Sequence, residues 1–342
     1  MPDQPTPPVR ETLWAVALAP GWVSSAIAAL TILTGLAIPP TLQYVPLVVS
    51  ALVVGLPHGA VDHLAVARTR GERPDVGAIA RVFALYGLLG GAYAIAWFLA
   101  PAAAFAGFIA LTWFHWGQGD LYALVALCDA DYLRSRLQRL ATVVVRGGLP
   151  MLVPLLAFPE WYRRVALDLV GLFAPDAAAS FEWVFRSDVR LALGVAYGLL
   201  LVGSLALGYC RAENRRPWRL DAAETFGLVA YFAVVPPVLA IGVYFCLWHS
   251  LRHVARLLVV DDAAAVALEN HDPRTAFVRF SRDALPLTLA SLALLGGFYA
   301  LVPNPPATVA EWVGLYLVFI AVVTLPHVAV VSLMDVEQRI WA

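Results

Sequence analysis

The sequence has few charged residues, and lysine, one of the two strongly basic residue types, is absent. Only 14% of its 342 residues are charged and 61% are hydrophobic, whereas a soluble domain usually carries about 25% charged residues. All 23 basic residues are arginine, because the sequence contains no lysine, and the formal net charge is only -1. No basic cluster is dense enough for a nucleic-acid partner, and the balance indicates an integral membrane protein.

Cysteine is scarce as well. Cys128, Cys210 and Cys246 are far apart, match no CxxC pattern and are odd in number. These features argue against a disulfide framework and favour buried free thiols. The N-terminal segment, about residues 1–14, is polar and proline-rich and lacks the basic region and cleavage site of a signal peptide. We therefore expect the first apolar helix to be retained.

Long apolar runs dominate what is present. A helix needs about 20 apolar residues to cross the hydrocarbon core of a bilayer. The runs predict an all-α polytopic membrane bundle of eight or nine transmembrane helices, with residues 1–342 forming a single domain. The candidate spans are roughly 15–38, 43–66, 79–100, 102–126, 138–158, 189–210, 224–258, 284–303 and 309–334.

Two segments depart from the pattern of simple spans. Pro236 and Pro237 stand in the middle of 224–258, and proline removes helical hydrogen bonds, so this segment is predicted to be kinked or broken. Residues 160–188 are too polar to cross a membrane. Their mixture of Trp, Phe and Arg is typical of a helix that lies in the interface.

The arginines predict the orientation of the chain. They are concentrated in the connections at 68–81, 134–139 and 211–219, whereas the links near 39–42 and 101 have none. Because arginine-rich loops favour the cytoplasmic side, we expect a multi-pass protein of the plasma membrane whose N-terminus is cytoplasmic. The second half can run either way, depending on whether the proline-containing segment crosses once or doubles back.

Six of the seven histidines lie within or at the ends of apolar runs. They are His58, His63, His115, His249, His253 and His327. Ionisable side chains inside a bilayer are costly and are candidates for function. A lone buried histidine is more often hydrogen-bonded to a carbonyl group than bound to a metal, but six in four separate spans favour a shared centre.

Helical spacing distinguishes these histidines from one another. His249 and His253, in WHSLRH, lie one turn apart on one face and can bind a single metal ion. His58 and Asp62 share this spacing, and Asp62 is suited to accept a hydrogen bond that fixes the tautomer of a ligating imidazole. His63 points about 140° away from His58 on an ideal helix. His327 is either a further ligand or a neighbour of the ligands.

A nitrogen-only donor set favours iron, copper or zinc over magnesium or calcium. His58, His115, His249 and His253 together would leave open positions for O₂ in the octahedral shell of a non-haem Fe(2+). Nearby aromatic side chains favour a slot for a long unsaturated lipid, although such residues also form the interfacial belt. These candidate substrate-binding residues are Trp113, Phe114, Trp116, Tyr244, Phe245 and Trp248.

Arg146, in VVVRGGLP, is a charge inside a predicted span. Its partner could be Asp120 or Glu224, and the sequence leaves the choice open. Glu224 stands near the start of a span, where an acidic side chain can also simply stabilise a helix N-terminus.

Three motifs carry a resemblance to a known family. GLPHGAVDHL, FHWGQGD and WHSLRH, in this order, resemble the Brp/Blh family of integral-membrane β-carotene 15,15′-dioxygenases from archaea and bacteria. The resemblance implies cleavage of the central double bond of β-carotene by O₂, giving two molecules of retinal at a histidine-bound iron. By motif, the family's ligands fall on His58, His115, His249 and His253. The resemblance implies no ligand role for Asp62 or His63.

Other functions remain open at this point. A membrane di-iron hydroxylase or desaturase uses HxxxH and HxxHH boxes, but this sequence has no adjacent pair of histidines. A transporter or proton-conducting bundle with a histidine relay would use Asp62, Arg146 and the broken segment. A haem protein would pair histidines from different helices.

Overall fold

The computed structural model describes residues 4–342, and within them the chain is helical, with no strand. The predicted all-α bundle is therefore confirmed. The described chain contains nine helices of 20 residues or more: α1 Pro7–Leu33, α2 Val76–Leu99, α3 Pro101–Tyr122, α4 Arg136–Ala157, α5 Ser187–Arg211, α6 Arg215–Val234, α7 Pro237–Val259, α8 Pro273–Tyr299 and α9 Val309–Glu337. Shorter helices are Pro40–Gln43, Val45–Ser50, Pro57–Ala60, Asp62–Thr69, Pro159–Gly171, Pro175–Phe185 and Asp262–Glu269.

Six of the described helices, α1, α2, α4, α5, α7 and α9, are long and apolar enough to cross a membrane. The number of spans stays a prediction, since this criterion rests on length and composition. The helices differ in how deeply they are packed. In an apolar 18-residue segment of α7, 83% of the residues are buried within the protein, against 11% in the corresponding segment of α2. An apolar helix that is buried on nearly all sides belongs to the centre of a bundle. α7 is therefore an inner helix, and α2 presents most of its surface to the outside of the bundle.

Residues 43–66, predicted as one span, do not form one helix. The chain there is divided into Val45–Ser50, Pro57–Ala60 and Asp62–Thr69. Proline at the start of the second piece removes a backbone donor. At Gly55 an added Cβ would lie 2.6 Å from the Cβ of Ser50, so only glycine allows the chain to fold back this tightly. Irregular backbone at membrane depth needs cover from protein, and the segment around Pro57 is buried.

The predicted break in 224–258 is confirmed. α6 ends at Val234 and α7 begins at Pro237, where proline occupies the first turn, a position that lacks an internal hydrogen-bond acceptor in any helix. Within α7, Phe245–Ser250 forms a π-helical turn. Such turns are uncommon and are frequently found at functional sites.

α3 and α4 approach each other closely enough to require glycine. A Cβ on Gly117 would lie 2.1 Å from the carbonyl oxygen of Val143, and one on Gly147 would lie 1.8 Å from the carbonyl oxygen of Trp113. Neither position can accept a side chain without separating the helices. This packing fixes the part of α3 that carries His115.

Some smaller expectations can be compared with the structure. α1 begins at Pro7, within the segment expected to precede the first span. The three cysteines are unpaired, as predicted, but Cys210 is exposed rather than buried because its side chain lies on the outer face of α5. Residues 160–188 contain the helix Pro159–Gly171 and the 3₁₀ helix Pro175–Phe185. Their position in the interface stays a prediction.

Candidate metal centre

Five histidines, His58, His115, His249, His253 and His327, meet inside the bundle, and we refer to them as the histidine cluster. Each is 6% exposed or less. α3 supplies one, α7 two, α9 one, and a short helix before α2 the fifth. The ring centroid of His58 lies 5.4 Å from that of His249, 5.3 Å from His253 and 5.0 Å from His327.

Ring nitrogens of the histidine cluster point toward one another. The Nε2 atoms of His115 and His249 are 3.1 Å apart. Two ligands about 2.1 Å from one metal ion and at right angles to each other would be separated by about 3 Å. One possible ligand atom from each of His58, His115 and His327 also lies within 4.8 Å of the others. Donors from three other elements thus lie close to His115: His249 on α7, His327 on α9 and His58 on the short helix before α2.

The hydrogen bonds of two cluster histidines leave Nε2 as the free nitrogen. The Nδ1–H of His58 donates to the carbonyl oxygen of Gly55, and that of His327 donates to Asp62 Oδ2 over 2.8 Å. An imidazole that donates through one nitrogen offers a lone pair at the other. Among residues 4–342 no hydrogen-bond partner faces Nε2 of His327 or of His253. Buried polar atoms rarely lack partners, and a bound metal ion would satisfy both.

Asp62 accepts a hydrogen bond from an imidazole, and that imidazole belongs to His327. Its Oδ2 accepts hydrogen bonds from His327 and, over 2.6 Å, from the hydroxyl of Tyr86. The spacing argument paired it with His58, but the helix Pro57–Ala60 ends before Asp62. A carboxylate behind an imidazole is the usual support of a metal-bound histidine. His63 lies outside the cluster, half-buried, with its ring 6.5 Å from that of Phe83.

Four buried charges lie next to the cluster: Asp120, Arg146, Glu224 and Arg252, here called the ion-pair network. Arg146 Nε lies 2.9 Å from Asp120 Oδ2, and the same guanidinium contacts Glu224. Arg252, between the two histidines of α7, contacts Asp120 over 3.2 Å and Glu224 over 2.5 Å. Arg146 thus has both partners that the sequence proposed as alternatives. Buried charges need such pairing, and this network ties α3, α4, α6 and α7 together.

A mostly apolar cavity reaches three members of the histidine cluster, His58, His115 and His327. It also passes Asp62 and His63. Its walls come from one face each of α3, α7 and α9 and from parts of α2, α4 and α8. The main wall residues on the first three helices are Phe105, Phe108, Ile109, Thr112, Pro237, Val238, Ile241, Val313, Gly314, Leu317, Ile320 and Thr324.

Two of the six aromatic residues predicted to bind substrate, Trp116 and Phe245, line this cavity. The other four face elsewhere, because consecutive helical residues point about 100° apart and cannot all face one space. Trp113 donates to the carbonyl oxygen of Val144, and Trp248 donates to Asp120. Tyr244 stacks on Trp248 at 6.1 Å between ring centroids, and Phe114 packs against the apolar core.

Comparison with known proteins gives consistent matches. A family model described as "Beta-carotene 15,15'-dioxygenase" matches residues 49–335. The chain is 52% identical over 333 residues to "Probable beta-carotene 15,15'-dioxygenase Blh" of Halobacterium salinarum, covering 97% of this chain and 95% of the relative. It is 33% identical over 319 residues to the Brp protein of the same species, covering 90% and 88%.

A more distant relative is the "Beta-carotene 15,15'-dioxygenase" of an uncultured marine bacterium, 23% identical over 287 residues, covering 82% of this chain and 91% of the relative. No solved structure matches the chain. The family model spans the segments that carry all five cluster histidines, and the resemblance seen in the three motifs is confirmed. This chain therefore belongs to the Brp/Blh family of β-carotene 15,15′-dioxygenases.

Proposed function

We propose that this protein cleaves the central 15,15′ double bond of β-carotene with O₂ and releases two molecules of all-trans-retinal. The observation that carries the proposal is the histidine cluster, which forms part of the wall of an apolar cavity within a membrane bundle. A hydrocarbon is recognised by burial of its surface rather than by hydrogen bonds. A nitrogen-only donor set beside that surface fits an oxidative reaction.

We propose that His58, His115, His249 and His253 bind one Fe(2+), as their motifs imply. His327 is proposed to join them, since its Nε2 faces the same region and Asp62 holds the ring. When bound by these residues, ferrous iron would supply the activation of O₂.

The side chains of the cavity bind and orient the polyene. A conjugated chain offers many similar double bonds, so the bond that lies beside the histidine cluster is the one that reacts. Trp116 and Phe245 form the wall next to the cluster. By filling the space around the chain they also keep water away from the reacting bond. No acidic or nucleophilic side chain is needed to form the two aldehydes.

The proposed substrate also bears on where the protein is located in the cell. β-Carotene dissolves in lipid, and the six apolar helices support a position of the cavity within a bilayer. We propose the plasma membrane as its location and a cytoplasmic N-terminus, on the arginine-rich connections of the first half. Membership of a dioxygenase family favours this function over a transporter, a di-iron hydroxylase or a haem protein.

The proposed activity can be tested in a host that accumulates β-carotene. Expression should turn orange cells pale and yield retinal in the pigment extract, and the purified protein should carry one non-haem iron per chain. Unchanged β-carotene in cells whose membranes contain the protein would refute the proposal. Two irons per chain or a haem absorption band would favour one of the other enzymes.

Asp62→Asn should lower the rate of retinal formation about tenfold without abolishing it. The amide can still accept a hydrogen bond from His327, but it loses the charge that supports the ring, and such losses typically cost 10–100-fold. Initial rates in isolated membranes, with iron content measured in parallel, would check this. Asp176→Asn, at an exposed position in the 3₁₀ helix, should behave like the wild type. Wild-type turnover in Asp62→Asn would contradict the supporting role.

A further inference from the structure

The cavity extends along α9 over a long distance from the histidine cluster. Its lining residues on this helix recur every three or four positions and so share one face: Ala310, Val313, Gly314, Leu317, Ile320, Val323, Thr324 and His327. The first and last are 17 residues apart, which corresponds to about 25 Å along a helix that rises 1.5 Å per residue. We call this part the closed arm, because none of the residues that line it on α3, α4, α7 and α9 is exposed.

The cavity also continues past the histidine cluster toward α2 and α8. Of all the described lining residues, three are exposed, namely Phe83 on α2 and Ala290 and Leu294 on α8. In the described chain α2 and α8 each pack on α9 but make no extensive contact with each other. We call this part the entrance arm. Leu88 and Leu289, on the same two helices, are 71% and 57% exposed, so the opening faces lipid rather than water.

We propose that a carotenoid enters end-first from the membrane between α2 and α8, and that the depth of the closed arm determines which double bond is cleaved. This inference rests on the proposed function. The ring that enters first stops in the closed arm, at the level of Leu317. The remaining half of the molecule stays in the entrance arm. The distance between the inserted ring and the histidine cluster then determines which double bond lies beside the cluster.

The closed arm is long enough to hold half of a β-carotene molecule. In an extended peptide, the three backbone bonds of a residue together span about 3.3–3.6 Å, which is about 1.2 Å per bond. An extended polyene advances by about the same length per bond. The nine or so bonds from the central double bond to the ring thus span about 11 Å, and the ring adds a few more. Leu317 is ten residues before His327, about 15 Å along α9, which places its side chain at the level of the ring.

Toward its inner end the closed arm passes Gly314, one turn beyond Leu317, and then Ala310. Gly314 faces the helix Pro159–Gly171, and an added Cβ would lie 3.5 Å from Cδ1 of Leu169. Leu169 and Val313 are buried and line this part of the arm. Because Leu317 stands at the level of the ring, a larger side chain at that position would hold the ring back toward the cluster.

Leu317→Trp is the direct test, because it shortens the closed arm without touching the histidine cluster. The next double bond toward the inserted ring should then lie beside the cluster. Each cleavage breaks one carbon–carbon double bond, and one oxygen atom of O₂ goes to each new carbonyl. The products should become two unequal carbonyl fragments whose carbons together equal those of β-carotene. Central cleavage should fall about 100-fold, as expected for a displaced reacting bond.

The matched control is Leu199→Trp, an exposed position on α5, a helix that supplies none of the described lining residues. It should give retinal at the wild-type rate. Ala290→Trp, in the entrance arm, should slow the reaction and leave retinal as the product. Iron content should stay at the wild-type level in all three variants.

An iron-loaded Leu317→Trp protein that still forms only retinal, at the wild-type rate, would overturn the inference and leave the proposed function intact. A wild-type protein that forms no retinal would instead refute the proposed function. If Leu317→Trp does not accumulate in the membrane, Ile109→Phe narrows the same arm from α3 and carries the same expectation. An unequal product pair from either variant supports a depth-determined position of cleavage.

Discussion

Replacing His115 with alanine should lower retinal formation by more than about 100-fold, because residues that only orient a metal ligand already contribute 10–100-fold. The imidazole lies near the centre of the histidine cluster, with its Nε2 3.1 Å from that of His249 and its ring 4.7 Å from that of His327. His249→Ala should have the same effect. Both variants should also lose iron, which metal analysis of the protein purified in detergent would measure directly.

The control for these variants is His271→Ala. This histidine lies outside the histidine cluster, in the turn before α8, where its Nδ1 is 3.1 Å from the hydroxyl of Thr12. Its removal should leave iron content and turnover close to those of the wild type. A His115→Ala protein that keeps its iron and its turnover would exclude His115 from the donor set. Loss of turnover with full iron content would instead assign it a role in binding substrate or O₂.

Glu224→Ala should destabilise the protein by about 3–5 kcal/mol, the usual cost of removing one partner from a buried ion pair. Its carboxylate contacts both Arg146 and Arg252, and all three side chains are 2% exposed or less. Without it, two guanidinium groups share Asp120 in the interior of the bundle. The measurement is the thermal unfolding midpoint in detergent, together with the amount of protein that accumulates in membranes.

Glu213→Ala provides the comparison, since Glu213 pairs with Arg134 at an exposed position. Exposed pairs are worth about 0–1 kcal/mol, so this variant should unfold close to the wild-type temperature. Equal midpoints for the two alanine variants would mean that the ion-pair network does not stabilise the fold. Glu224→Gln keeps the hydrogen-bonding shape and should fall between the two.

The sequence identifies candidate residues where their physical cost makes them conspicuous. Histidines inside apolar runs are expensive, and for this reason His58, His115, His249 and His253 could be singled out, and the structure brings them together. The break at Pro236 and Pro237 was predictable because proline acts on its own backbone. These signals are local, so a single sequence contains them.

What the sequence could not provide is contact between distant elements. The apolar content of 43–66 resembles that of a span, and only the close approach of Gly55 to Ser50 shows that the chain bends back. Asp62 and His327 are 265 positions apart, and no spacing rule connects them. The same holds for Arg252, whose contacts with Asp120 and Glu224 join helices that are far apart in the sequence.

The π-helical turn of α7 has a consequence for the register of its side chains. Ile241, Phe245, His249 and His253 follow one another at intervals of four, and in an ordinary α-helix each such step advances about 40° beyond a full turn. Three steps would rotate the last residue about 120° away from the first. The wider turn at Phe245–Ser250 takes back part of that rotation. Deleting a single residue there would rotate the part of α7 that follows by about 100° around the helix axis. His253 would then point away from the other cluster histidines, although its side chain would be unchanged.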